Sequence, residues 1–207
     1  MAEALVANSA VGAGWISYER FLRELPEGSH LEWADGKVVE MTPISDTHTR
    51  VGTFLINVLS TYIESKGLGR LLYEPFQMKT GPDLPGRSPD IMFVAAENCP
   101  RILETYLQGP ADLAIEIISP GSQTIDRGEK FYEYEKGGVK EYWILDPQRK
   151  RAEFYHLDDE GLYAPMPVGQ DGEFTSRELP GCALKVAWLW PGQMPLPLDV
   201  LRAWKLI

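Results

Sequence analysis

The segment Asp112-Leu-Ala-Ile-Glu-Ile-Ile-Ser119 constrains the fold more than any other stretch of the chain. It reads as a strand apolar on both faces, and such a strand belongs in the centre of a sheet covered on both sides. Alternation puts Leu113, Ile115 and Ile117 on one face and Ala114, Glu116 and Ile118 on the other. Glu116 is the only charge between Leu113 and Ser119. A carboxylate there loses its hydration at a cost of several kcal/mol unless it is paired, protonated or metal-bound. A strand-end Glu reaching solvent and a structural ion pair are the ordinary alternatives.

The rest of the sequence supplies elements around this strand. Ser17 caps a short predicted helix through Leu25, which Pro26 to Ser29 end. Leu31 to Met41 holds two strand-like runs about Asp35-Gly36, a tight-hairpin signal. Ser45 or Asp46 opens a long helix: Val51, Phe54, Leu55, Val58, Leu59 and Tyr62 recur at three- and four-residue spacing, and Gly67 stops it. Leu71 to Met78 reads as one strand, at an edge or bulged because of Pro75, and Asp90 to Val94 as another. Thr124 to Lys136 is a predicted helix ended by Gly137-Gly138. Glu141 to Leu145 and Ala152 to Leu157 form a hairpin turning at Pro147-Gln148. Beyond Asp158 strand signals are weak, around Phe174 and Ala183, with a last short helix over Leu198 to Trp204.

The expected class from the element order is α/β (α+β), with a β-rich C-terminal extension. The divisions read as a tail over 1–16, a core over 17–157 and an extension over 158–207 packed on the same domain. The 207 residues suit one domain, and 44% apolar with 24% charged residues is an ordinary globular balance.

Cys99 and Cys182 have no companions at metal-ligand spacing, so a structural zinc site is not expected and two free thiols are the simpler reading. Met1 to Gly14 lacks a basic start, unlike a signal peptide. No apolar run spans a bilayer, and a cytoplasmic location with no membrane partner is the expectation. The net charge of −10 runs against a duplex-DNA binder, which presents a basic face. Metal-dependent phosphodiesterases partly escape that rule, because their carboxylates hold the cation that neutralises the substrate.

Asp90, after Pro89, gains meaning through geometry. If its strand runs antiparallel to Leu113–Ile118, the start of one lies beside the end of the other, and Asp90 meets Glu116. Two such carboxylates repel unless a cation lies between them, and oxygen ligation suits Mg²⁺ or Mn²⁺. Lys130 follows on the next helix, sharing a face with Asp126 and Tyr134 at four-residue spacing. Beside a metal it could position a water or steady transition-state charge; the alternative is a solvated Asp126–Lys130 pair. His48, in the first turn of the long helix near Arg50, and Glu32, on the first hairpin, are additional candidates; either could instead be structural or, for Glu32, exposed. The aromatic segment Glu141 to Asp146 alternates as scaffold. Arg149, Lys150 and Arg151 fall on its turn, where they could contact phosphate or be a plain exposed hairpin tip.

Pro89-Asp90, Glu116-Ile-Ile-Ser-Pro120, Asp126 to Lys130 and Gly138-Val-Lys-Glu-Tyr-Trp-Ile-Leu-Asp-Pro147 occur in an order that resembles the Uma-two family of endonucleases. Glu32, Gly36, His48 and Glu74-Pro75-Phe76 stand where that family has comparable residues, and the resemblance covers roughly Tyr18 to Leu157. It implies the restriction-endonuclease-like, PD-(D/E)XK superfamily, and with it a mixed β-sheet flanked by helices as the core. It further implies Asp90 and Glu116 as metal ligands with the Ile117 backbone carbonyl, a nucleic-acid substrate, DNA first, products with 5′-phosphate and 3′-hydroxyl ends, and a homodimer. The superfamily's lysine two residues after the glutamate is Ile118 here, and the resemblance moves that role to Lys130. Three readings stay open: a metal-dependent endonuclease, a nuclease-like binding or regulatory module, and a purely structural Glu116–Lys130 ion pair.

Overall fold

The computed structural model describes residues 15–24, 31–34, 36–40, 43–119 and 122–207. The expected breaker at Pro26 to Ser29 lies outside them. Ser17 Oγ accepts from the Arg20 N–H at the start of α1 (Tyr18–Glu24). The first hairpin pairs β1 (Leu31–Ala34) with β2 (Lys37–Glu40) antiparallel. Ser45 Oγ accepts from the His48 N–H at 3.2 Å and starts α2 (Asp46–Lys66), which Gly67 ends at φ +63°, a left-handed conformation that glycine adopts without a Cβ clash. The periodic residues of α2, from Val51 to Ile63, form its buried stripe.

The strand expected over Leu71 to Met78 is two strands in different sheets. β3 (Gly69–Tyr73) ends in a turn closed by the Phe76 N–H on the Tyr73 carbonyl, across the cis Glu74–Pro75 peptide, and β4 (Gln77–Lys79) departs elsewhere. There follow β5 (Gly86–Arg87), β6 (Ile91–Ala95), β7 (Tyr106–Gln108) and β8 (Leu113–Ile117). After a π-helical turn, Ile125–Glu129, come α3 (Lys130–Gly137), β9 (Glu141–Asp146) and β10 (Arg151–Leu157). Last are β11 (Tyr163–Pro165), β12 (Glu173–Thr175), β13 (Ala183–Lys185) and α4 (Pro197–Ala203).

The main sheet has the order β11-β10-β9-β8-β6-β3, with β8 parallel to β9 and antiparallel to β6. β8 is thus central, as its sequence requires. A second mixed sheet, β2-β1-β5-β4-β7, and a β12-β13 ribbon complete the described strands. The sequence does not announce the second sheet as a separate layer, because its strands are two to four residues long and the pairings that join its pieces, β1 with β5 and β4 with β7, are non-local.

The alternation of β8 sorts the two faces. Leu113, Ile115 and Ile117 join α2, Trp143, Phe174 and Leu189 in one apolar cluster. Ala114 and Ile118 join Met78, Leu107, Tyr134 and Tyr142 in another. The residues beyond Asp158 close the first face: Phe174 stacks on Phe154 at 3.6 Å, and the Tyr62 hydroxyl donates to the Pro180 carbonyl at 2.8 Å. Among the described residues no helix is long and apolar enough to cross a membrane.

Asp112 ties down the entry to β8. Its buried carboxylate accepts from the Ala95 N–H at 2.7 Å and from Asn98, and pairs with Lys140 at 2.7 Å. Burial alone would raise its pKa, but these donors outweigh burial and hold it below the ordinary 3.8. A depressed folded pKa gives stability that is present above 3.8 and lost as pH falls through the folded value. Asp112→Asn is therefore expected to lose about 2 kcal/mol near neutral pH, and to show a shallower acid limb. Urea melts across acidic pH check this; parallel acid limbs in the two proteins would remove Asp112 from the account.

Candidate active site

The register of β6 against β8 pairs Ile91 with Ile115. One step further along, Asp90 falls opposite Glu116 and on the same face, as the antiparallel expectation required. The ladder stops there because the Asp90 side chain takes over: its Oδ2 accepts from the Ile117 N–H at 2.6 Å. Its Oδ1 lies 3.1 Å from His48 Nε2. His48 therefore reaches the site, through Asp90. Burial lowers its pKa, but the hydrogen bond to Asp90 and the charges of Asp90, Glu74 and Asp126 outweigh burial and raise it.

Glu116 is only 3% exposed, and both its oxygens are engaged. The Tyr134 hydroxyl donates to Oε1 at 2.8 Å, and Lys130 Nζ lies 2.9 Å from Oε2. The solvated Asp126–Lys130 surface pair is ruled out: both residues are buried, 3.4 Å apart, and face inward. The local cause is the π-helical turn, in which the Lys130 N–H reaches the Ile125 carbonyl. It leads into α3 so that Asp126, Lys130 and Tyr134 converge on Glu116. The helix then ends at Gly138, φ +84°.

Glu32, which could have been exposed, is buried. Its Oε1 accepts from the Ser88 N–H at 2.9 Å and lies 3.8 Å from Lys130 Nζ, while its Oε2 meets Arg87 at 3.1 Å. Arg87 is the residue that sequence reasoning missed. Its guanidinium binds Glu133 through Nε and Nη2, both at 2.8 Å, and reaches Glu129 at 3.3 Å, so it joins the second sheet to α3. An arginine three residues ahead of Asp90 was the available signal. Tyr134 and Asp126, which four-residue spacing marks only as face-mates of Lys130, belong to the cluster as well.

The electrostatics are those of a crowded acidic cage. Burial pushes the Glu116 carboxyl well above its ordinary 4.5; Lys130 opposes this, and the Asp126 and Asp90 charges add to it. Asp126 is raised for the same first reason, against Lys130 and a Ser122 hydrogen bond. Burial works against the Lys130 charge, but Glu116, Glu32, Asp126 and Asp90 together hold its pKa well above 10.5. Lys130 thus stays an ammonium while the carboxylates around it are short of counter-charge.

That shortage bears on the metal implied by the resemblance. Asp126 Oδ1 is buried and lacks an aligned hydrogen bond. Asp90, Glu116 and the Ile117 carbonyl are hard oxygen donors, and Mg²⁺ is commonly held by one or two carboxylates with its remaining positions filled by water. Each carboxylate oxygen keeps a second lone pair beside its present partner. Among the described residues no three His, Cys, Asp or Glu side chains form a group that could hold a metal ion. What the residues offer a cation is two carboxylates and a backbone oxygen, hard donors of the kind Mg²⁺ takes, short of a full side-chain cage.

The aromatic segment is scaffold, as expected: every residue of β9 is buried. Arg149, Lys150 and Arg151 are exposed at the tip between β9 and β10. Cys99 and Cys182 are free.

No curated protein matches the chain. A crystal structure described as a putative nuclease belonging to DUF820 from Anabaena variabilis ATCC 29413 superposes with a TM-score of 0.70 at 19% identity, covering 84% of this chain and 97% of that one. At that identity the likeness speaks for the fold. Residues 16–187, well over half of the sequence, match the Uma2 family, described as a putative restriction endonuclease. The chain belongs to the Uma2 family.

Proposed function

We propose that the Asp90–Glu116–Lys130 cluster is the catalytic centre of a Mg²⁺- or Mn²⁺-dependent endonuclease that hydrolyses nucleic-acid phosphodiesters, with DNA as the first substrate to test. The observation that carries this is Lys130 Nζ at 2.9 Å from Glu116, with Asp90 across the register on the same face. The lysine absent from the superfamily position at Ile118 is thereby supplied from α3. Asp90, Glu116 and the Ile117 carbonyl are the residues that would hold the cation. When bound, it supplies charge neutralisation on a phosphate and a water of lowered pKa. Lys130, kept cationic by its neighbours, would donate a hydrogen bond from Nζ to an attacking water or to a phosphate oxygen. Tyr134 and Asp126 fix Glu116 and Lys130 from the protein side, and His48 orients Asp90.

The direct Lys130–Glu116 contact also favours a second reading, a buried ion pair with a structural role only. Incubation of supercoiled plasmid, single-stranded and branched DNA, and RNA with Mg²⁺ or Mn²⁺ separates the two. Wild-type protein is expected to cleave, and identically purified Glu116→Gln to lose about 10²-fold or more of that rate. Equal cleavage by both would indicate a contaminating nuclease. No cleavage of any substrate, with both proteins folded, would favour a nuclease-like binding module or a purely structural ion pair over the enzyme.

A further inference from the structure

We infer that the tip between β9 and β10 is a docking surface for the phosphate backbone of a nucleic acid. The inference rests on the nuclease reading for the identity of the polymer. Sequence alone could not separate this from an ordinary solvated hairpin tip; position in the sheet does. Glu116 pairs with Ile144 in the parallel β8–β9 ladder, and Asp146 closes β9 two residues on, about 7 Å along the strand. The tip therefore leaves the sheet at the same end as Glu116 and Asp90. From β6, which follows Asp90, to β10 is three strand spacings, about 14 Å. Each strand of a duplex carries one phosphate per about 3.4 Å of helix axis, so a strand of a few nucleotides is long enough to span that width.

The tip is also held in place. Asp146 accepts from the Arg149 N–H at 3.0 Å and meets its guanidinium at 3.1 Å, and Arg149 Nη1 donates to Gln123 at 2.7 Å. Gln123 lies just before the turn that carries Asp126 and leads into Lys130, so the tip is tied to the segment that builds the cluster. Arg151 pairs with Glu153 at 3.1 Å, and Arg127 with Glu153 at 2.7 Å. Arg127, Arg149 and Arg151 thus gather against two carboxylates, Asp146 and Glu153, with Lys150 exposed beside them in the chain. The result is a local positive excess on a chain whose net charge is −10. The side chains of Arg149 and Arg151 are 60% and 63% exposed, free to exchange an intramolecular carboxylate for a phosphate. Within the cluster Asp90 is the more exposed carboxylate, 14% against 3% for Glu116. A strand running across this sheet end would meet Asp90 and the tip together.

The test is fluorescence anisotropy of a fluorescein-labelled oligonucleotide, single-stranded and duplex, in EDTA so that no cleavage intervenes. Lys150→Gln/Arg151→Gln leaves the Arg149–Asp146 contacts in place and is expected to fold. It should bind about tenfold more weakly at low salt, with the salt slope reduced by about two. Lys185→Gln/Arg202→Gln makes the same charge change elsewhere and should bind as wild type. Equal weakening in both double variants, no binding by wild type, or equal competition by poly-glutamate would overturn the docking surface. Plasmid cleavage measured alongside keeps the two proposals apart. Cleavage with unchanged binding in the tip variant removes the surface and keeps the nuclease. Tip-dependent binding without cleavage does the reverse.

Discussion

Lys130→Met is expected to abolish cleavage, by about 10³-fold or more, and to destabilise the protein by about 3–5 kcal/mol. The reason for the second effect is arithmetic of charge rather than loss of one contact. Lys130 lies 2.9 Å from Glu116, 3.4 Å from Asp126 and 3.8 Å from Glu32, all of them buried. Removing the ammonium leaves these carboxylates and Asp90 without their shared counter-charge, and they will take up protons or the packing will loosen. The companion experiment is Glu116→Gln/Lys130→Met. Removing both members of a buried pair is far less costly than removing one, so the double variant should regain much of the lost stability. It should regain none of the activity. Chemical melts and cleavage rates for both singles and the double form a cycle that reports the coupling. Recovery of stability without activity places the pair in the chemistry. Full activity in the double variant would make it scaffold, and full stability in Lys130→Met would mean the pair is not buried in solution.

How much of this could be read from the sequence follows from how local each signal is. Glu116 was legible because its strand is apolar on both faces, so a single carboxylate stands out against its neighbours. The meeting of Asp90 with Glu116 followed from one assumption, antiparallel pairing of two consecutive strands. Lys130 came from four-residue spacing with Asp126 and Tyr134, and that spacing held through a π-helical turn that the sequence does not announce. Glu32 and Arg87 were not legible in the same way. β1 has four residues, too few for alternation to tell a covered face from an open one. Glu32 is covered by Arg87, which lies in the two-residue strand β5, and the backbones of β5 and β1 pair at one position, Trp33 with Gly86. The second sheet is assembled from such fragments, including a parallel β4–β7 pair, and no periodicity in any one of them predicts the assembly. The break at Glu74–Pro75 was misread for a related reason: Pro75 signals an edge or a bulge, while the departure of β4 into another sheet is decided by partners far away in sequence.

Arg87→Met is expected to lower stability by about 3–5 kcal/mol and cleavage by about tenfold, although the Arg87 hydrogen bonds go to Glu32, Glu129 and Glu133 rather than to Asp90 or Glu116. Arg87 clamps Glu133 of α3 with two bonds at 2.8 Å and holds Glu32 of β1 at 3.1 Å. With the guanidinium gone, Glu32 keeps the Ser88 N–H and faces Lys130 at 3.8 Å with its charge otherwise unmatched. Glu32 then competes with Glu116 for the ammonium, and α3 loses its tie to the second sheet. Lys130 moves off its position, and the rate falls without loss of any cluster member. Arg87→Lys tests the fork: a lysine restores the charge but not the two-bond clamp on Glu133, so it should recover stability only in part. Arg87→Met/Glu32→Gln removes the competing charge and should restore most of the rate while leaving α3 less firmly held. A rate that stays low in that double variant would show that Arg87 acts through α3 rather than through Glu32. An Arg87→Met protein as stable and as active as wild type would mean that the second sheet is not what fixes Lys130, and that Asp126 and Tyr134 are sufficient to place it.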